Sequence, residues 1–133
     1  MSRGDGRATI RHSDQTVSAS LDQGVARMLA ELTPDERERA VAYLAVEPID
    51  AGARIALPGV QILAETRSLL AFVDQDPAAN WGHAARYLLL PCDLDGPAVS
   101  IPARLPPFNQ KGGPRWQLAF RAATVADSAI AVR

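Results

Sequence analysis

The sequence predicts an α+β fold: an N-terminal helical pair packed on a small, mainly antiparallel β-sheet or sandwich of about five to six strands. Three observations carry that expectation. A helical stripe of apolar residues begins after Ser18, a complete helix-start signal follows at Thr33–Glu36, and beyond Pro48 the apolar period drops to two. Residues 1–17 precede this pattern and are polar, charged and glycine-containing, so they are expected to form a disordered tail ahead of a single domain over 18–133. The tripeptide Arg3-Gly4-Asp5 within them is read as a chance match.

The first helix is predicted from Leu21, Val25, Met28, Leu29 and Leu32, which fall at i, i+4, i+7, i+8 and i+11 and share one face. Ser20 and Gln23 fit a capping box at its start, while Gly24 either weakens the helix by about 1 kcal/mol or lets a neighbour approach closely. The second start signal is stronger. Thr33 is placed as the N-cap, Pro34 as the first helical residue, and Glu36 as the side chain that closes the box. The spacing of Ala40, Val41 and Leu44, with Tyr43, extends this helix to about Val46, before Pro48 stops it. The helical pair is thus expected over 18–47, and the sheet over 53–121.

Ala53–Leu57 and Val60–Ala64 flank the turn Pro58-Gly59 and read as two short strands. Leu69–Val73 and Tyr87–Leu90 are apolar at every position, the mark of strands covered on both faces. The helical pair would cover one face, and a second layer or a partner the other. Asp95-Gly96 predicts a hairpin joining the strand that ends near Cys92 to one over Ala98–Leu105. Pro97 and Pro102 cannot donate to a ladder, which puts that strand at an edge, and Pro106-Pro107 ends it. Trp116, Leu118 and Phe120 alternate with Gln117, Ala119 and Arg121 as a half-buried strand.

Composition narrows the function classes. The 133 residues carry a net charge of −1, so no bulk field attracts nucleic acid or an anionic membrane. Thirteen of the fourteen basic residues are Arg, scattered rather than clustered, as a GC-rich and by expectation bacterial genome produces. A single Cys92 excludes an internal disulfide and fits a reducing, cytoplasmic setting. No apolar run is long enough to span a bilayer, and the first residues lack the apolar stretch of a secretory signal. The helical pair does not read as a DNA-binding unit, because its second helix opens with acids beside its arginines.

The candidate site is the stretch Asp74-Gln75-Asp76-Pro77-Ala78-Ala79-Asn80-Trp81-Gly82-His83 between the two apolar strands. It is longer than a hairpin requires and concentrates carboxylates, an amide, an indole and an imidazole. Read as a catalytic loop, His83 is a general base oriented by Asp74 or Asp76. Read as a binding loop, it engages a ligand through Asn80, Trp81, His83 and Tyr87. Read structurally, Asp76-Pro77 starts a turn, Trp81 plugs the end of the core and His83 is a hydrogen-bonded lid, and this is the favoured reading. Asp74, Asp76 and Asn80 lack the glycine and glutamate spacing of a calcium loop, so no metal is expected. A Cys92–His83 dyad is disfavoured, since nine residues of regular strand span roughly 30 Å. Gln110-Lys111-Gly112-Gly113 lacks the Ser/Thr and helix of a phosphate loop, and Arg104-Leu105-Pro106-Pro107 reads as a strand terminator rather than a polyproline ligand.

The function expected from these residues is a non-enzymatic interaction or assembly module, a subunit or adaptor that uses an exposed sheet edge or apolar face to bind a protein partner or itself. It implies no cofactor, nucleic acid or membrane. The alternatives are a small hydrolase or lyase working through His83 with Asp74 or Asp76, and a small-ligand or metal sensor on the same loop.

Overall fold

The computed structural model describes residues 22–93 and 96–132. The expected tail over 1–17, the capping box at Ser20 and the Asp95 half of the Asp95-Gly96 turn lie outside the described residues. Two helices come first: α1 over 22–31 and α2, Pro34–Arg39. Seven strands follow: β1 Val41–Ala45, β2 Arg54–Leu57, β3 Val60–Leu63, β4 Ser68–Asp74, β5 Ala85–Pro91, β6 Val99–Ala103 and β7 Trp116–Arg121. The fold is α+β, with helices near the N-terminus packed on a five-stranded antiparallel sheet of order β6-β5-β4-β1-β7 and a separate two-stranded hairpin, β2–β3.

The Thr33 cap forms as the sequence predicts. Its hydroxyl accepts from the Glu36 amide at 3.1 Å, and the Glu36 carboxylate accepts from the Thr33 amide at 2.9 Å. The helix it starts is much shorter than expected. α2 ends at Arg39, Ala40 is already extended, and Val41–Ala45 is a strand rather than the body of the helix. The physical reason lies in the run Ala40–Ala45, which is apolar at every position and therefore satisfies a helical stripe and a two-sided strand equally. A cap decides where a helix starts, not how far it runs. Tertiary pairing decided here: β1 is fully buried between β4 and β7.

β4 and β5 pair directly, Leu69 with Leu90 through Asp74 with Ala85, at the centre of the sheet. Alternate side chains build two cores. On one face Met28 and Leu32 pack with Ala42, Leu44, Leu69, Ala71, Val73, Leu88 and Leu90. Gly24 lets α1 approach closely there, since a Cβ at that position would meet Leu69 Cδ1 at 2.1 Å. On the other face the registered row Leu118–Tyr43–Phe72–Tyr87–Ile101 crosses all five strands. This face is covered from within the chain, by β2–β3 (Leu57, Ile62), by Phe108 and by Val125, Ile130 and Val132. The sequence left its cover open between a second layer and a partner; the chain supplies it.

The two outer strands are β6 and β7. β6 takes the edge position that Pro102 requires. In β7 the alternation of Trp116, Leu118 and Phe120 is broken by a register shift against Ala42/Tyr43, so Phe120 opposes Ala42 while Leu118 opposes Tyr43. Phe120 thereby contributes to both cores.

Candidate functional site

The stretch 74–83 leaves β4 at its last residue and returns to β5 at Ala85. Asp74 and Gln75 are neighbours in sequence, so their side chains go to opposite faces of the sheet. Each opens a separate polar network at the same end of the core.

On the face away from α1, His83 Nε2 lies 2.7 Å from Asp74 Oδ1, and His83 Nδ1 lies 2.8 Å from the Asn80 carbonyl oxygen. Asp74 Oδ1 also accepts the Asp76 amide at 3.1 Å, and the turn that Asp76-Pro77 predicted is closed by the Ala79 amide donating to the Asp76 carbonyl at 3.0 Å. The Trp81 indole stacks on the imidazole with ring centroids 4.3 Å apart and planes 21° from parallel. It reaches the Phe72 ring at 6.1 Å but stays 41% exposed, so it leans on the end of the core rather than plugging it. Gly82 takes φ +104°, a conformation that favours glycine, with open space around the missing Cβ. Its amide donates to the Arg104 carbonyl at 3.2 Å, and the Arg104 guanidinium donates back to the Gly82 carbonyl at 2.9 Å.

Burial pushes the Asp74 carboxyl up from the ordinary aspartate value, and the hydrogen bond from His83 offsets this only in part. Partial burial pulls the His83 imidazole down, but the Asn80 carbonyl and the Asp74 carboxylate together hold it above 6.5. Both ring nitrogens face acceptors inside the loop. A general base needs a free lone pair directed at its substrate, and neither nitrogen of His83 presents one in this arrangement.

The remaining predicted site residues are scattered. Asp76 and Asn80 are exposed. Tyr87 is fully buried in the aromatic row, 5.1 Å from Phe72 by ring centroids, and lines no surface. Burial raises its phenol, and its hydroxyl has no hydrogen-bond partner among the described residues. An unpaired buried hydroxyl costs about 1–3 kcal/mol. Tyr87→Phe is therefore expected to raise stability by about 1 kcal/mol, read as a higher urea midpoint at unchanged slope. Cys92 follows β5 at the end opposite His83, its thiol raised by burial, so the two do not meet. No group of three or more metal-ligating side chains occurs among the described residues.

On the α1 face stands a cluster that sequence reasoning missed. Arg86 grips Glu36 through two bonds, Nε to Oε2 at 2.8 Å and Nη2 to Oε1 at 2.7 Å. Gln75 Nε2 donates to Glu36 Oε2 at 2.8 Å, and Arg86 Nη2 also donates to the Glu31 carbonyl at 3.0 Å. Glu36 is only 3% exposed. Burial raises its carboxyl, but Arg86, the Thr33 amide and Gln75 outweigh that and leave it below 4.5. The sequence signal available was an Arg inside an otherwise apolar strand: such a charge requires a partner.

Four large apolar side chains are strongly exposed among the described residues: Leu63, Trp81, Val99 and Leu105. Val99 lies in β6 and Leu105 just beyond it, Trp81 adjoins Gly82, which is tied to Arg104, and Leu63 shares with Val99 and Ile101 a cleft of about 390 Å³. Leu63 and Val99 thus face one cleft beside β6. No helix of the described residues is long and apolar enough to cross a membrane. Comparisons with protein-family models, with curated proteins and with solved structures each return no match.

Proposed function

We propose that the protein is a non-enzymatic interaction module that docks a protein partner along its β6 flank. The observation that supports this best is the cleft shared by the exposed Leu63 and Val99 beside the outer strand β6, with the exposed Leu105 just beyond that strand. Single exposed apolar residues are ordinary on any surface, whereas exposed apolar side chains that face one cleft beside an open sheet edge are a binding feature. Pro102 removes one backbone donor from β6, which weakens continuous strand addition and shifts the weight of binding to side chains seated in the cleft beside Ile101. The proposal includes self-association through the same flank and a cytoplasmic setting. The hydrolase or lyase reading has less support, because both nitrogens of His83 are engaged inside the loop. For the metal form of the sensor reading, the described residues include no group of three or more His, Cys, Asp or Glu side chains placed to hold an ion.

The test compares the wild-type protein with the double variant Val99→Glu, Leu105→Glu. Light scattering and recovery of a tagged copy from its native cells are expected to show a complex, or a mass above the monomer, for wild type only. Circular dichroism should show both proteins folded, since both positions are exposed. A wild-type monomer without a partner, or a variant that assembles equally well, overturns the proposal.

A further inference from the structure

We propose that His83 and Asp74 form a proton-operated latch: the doubly protonated imidazole pins the 75–84 loop to the end of the sheet, and loss of its proton releases the loop together with Trp81. This goes beyond the docking role and does not depend on it.

A backbone carbonyl only accepts, so the 2.8 Å contact with Asn80 requires a proton on His83 Nδ1. Asp74 Oδ1 also accepts the Asp76 amide. With Asp74 ionised, the 2.7 Å contact from Nε2 to that oxygen carries the second ring proton. The stacked indole of Trp81 favours the cationic ring as well.

The charged groups around the ring come from several elements. Asp74 belongs to β4, and Asp76 lies within the loop itself. The Arg104 guanidinium, just beyond β6, is turned onto the Gly82 carbonyl. The Tyr43 phenol on β1 senses the Asp74 charge from the far side and accepts the Ala131 amide. Of these charged groups, Asp74 is the one within hydrogen-bond distance of the ring.

When the ring loses a proton, the Nε2 lone pair faces the carboxylate oxygen. The side chains are 9% and 4% exposed, so water cannot enter between them without separation. Asp74 is held in the β4 ladder between Val41 and Ala85, whereas His83 lies outside any strand. The loop is therefore the part that moves. It carries Gly82 away from Arg104 and the indole off the Phe72 ring. The sign is fixed by the direction of the shift. A histidine held above 6.5 in the folded state contributes stability that is complete below 6.5 and is lost as pH rises through the elevated value.

The experiment is an NMR titration of the full chain. The sequence holds only two histidines, His12 and His83, so a His12→Gln protein gives a single imidazole to follow by its ring nitrogens. His83 is expected to titrate above 6.5. Across the same midpoint the Gly82 amide should lose about tenfold of its protection from hydrogen exchange, after correction for intrinsic base catalysis, while Phe72 in β4 stays protected. In His83→Gln the step in Gly82 protection should vanish. Should that variant fail to fold, Asp74→Asn serves: its amide oxygen still accepts the Asp76 amide and the ring N–H but carries no charge, so the second ring proton is held less tightly and the step moves to lower pH. Titration at or below 6.5, constant Gly82 protection through the titration, or an unchanged step in either variant overturns the proposal.

Discussion

Replacing Arg86 by Met is expected to destabilise the protein by about 3 kcal/mol, a lowered midpoint in urea or on heating. The size follows from what is left behind. Glu36 is buried and receives two bonds from the guanidinium. Without Arg86 the carboxylate keeps only the Thr33 amide and Gln75, and the cost of holding a charge out of water is no longer met. Glu36→Gln should cost less, about 1–2 kcal/mol, because its amide oxygen still closes the capping box and Arg86 retains the Glu31 carbonyl and partial solvent. The double variant should cost less than the two single costs combined, since neither partner then strands the other. Acid adds a second signature. In the wild-type protein Glu36 lies below 4.5, so its contribution is complete above 4.5 and is lost as pH falls through the depressed value. In the Arg86→Met protein burial prevails, the carboxyl moves above 4.5, and this group makes the fold relatively more stable on acidification. Parallel acid profiles for the two proteins would contradict the assignment.

The same pair shows where sequence reasoning stopped. Thr33 and Glu36 were legible because a capping box is a local rule with fixed spacing, and both bonds form. That Glu36 also holds Arg86, fifty residues away, was not legible, because no local rule reaches across the β4–β5 hairpin. The helix end failed for a related reason. Ala40–Ala45 offers no polar position to separate one period from another, and the choice fell to β4 and β7, whose places in the sheet are non-local. Continuous apolar runs did identify β4 and β5 as interior strands, and Pro102 did put β6 at an edge. In the candidate loop, residue types did not give the place of each member. Asp74 and His83 meet, Asn80 contributes its carbonyl rather than its side-chain amide to the ring, and Tyr87 belongs to the core.

Phe72→Ala should be the most damaging single truncation, costing about 3–5 kcal/mol. Phe72 is fully buried in the central strand, and its ring meets those of Tyr87 at 5.1 Å, Phe108 at 5.6 Å, Trp81 at 6.1 Å and Trp116 at 6.5 Å. Those neighbours come from β5, from β7, from the segment beyond β6 and from the candidate loop. One ring therefore joins the sheet to Phe108 in its cover and to the indole that stacks on His83. Two terms combine in the cost: the transfer of a large aromatic surface, and a cavity that β4 and β5, locked by seven register pairs, cannot close by moving together. Phe72→Leu keeps most of the volume and should lose about half as much. The position of Phe72 also sets an order of events. Trp81 rests on Phe72 and His83 at once, so truncation at 72 should loosen the loop even while His83 is protonated. The Gly82 amide should then exchange faster at every pH, with the midpoint of its pH dependence unchanged, because the contact between Asp74 and the ring is not altered. A shift of that midpoint in Phe72→Leu would show instead that the aromatic layer, and not the carboxylate, sets the proton affinity of His83.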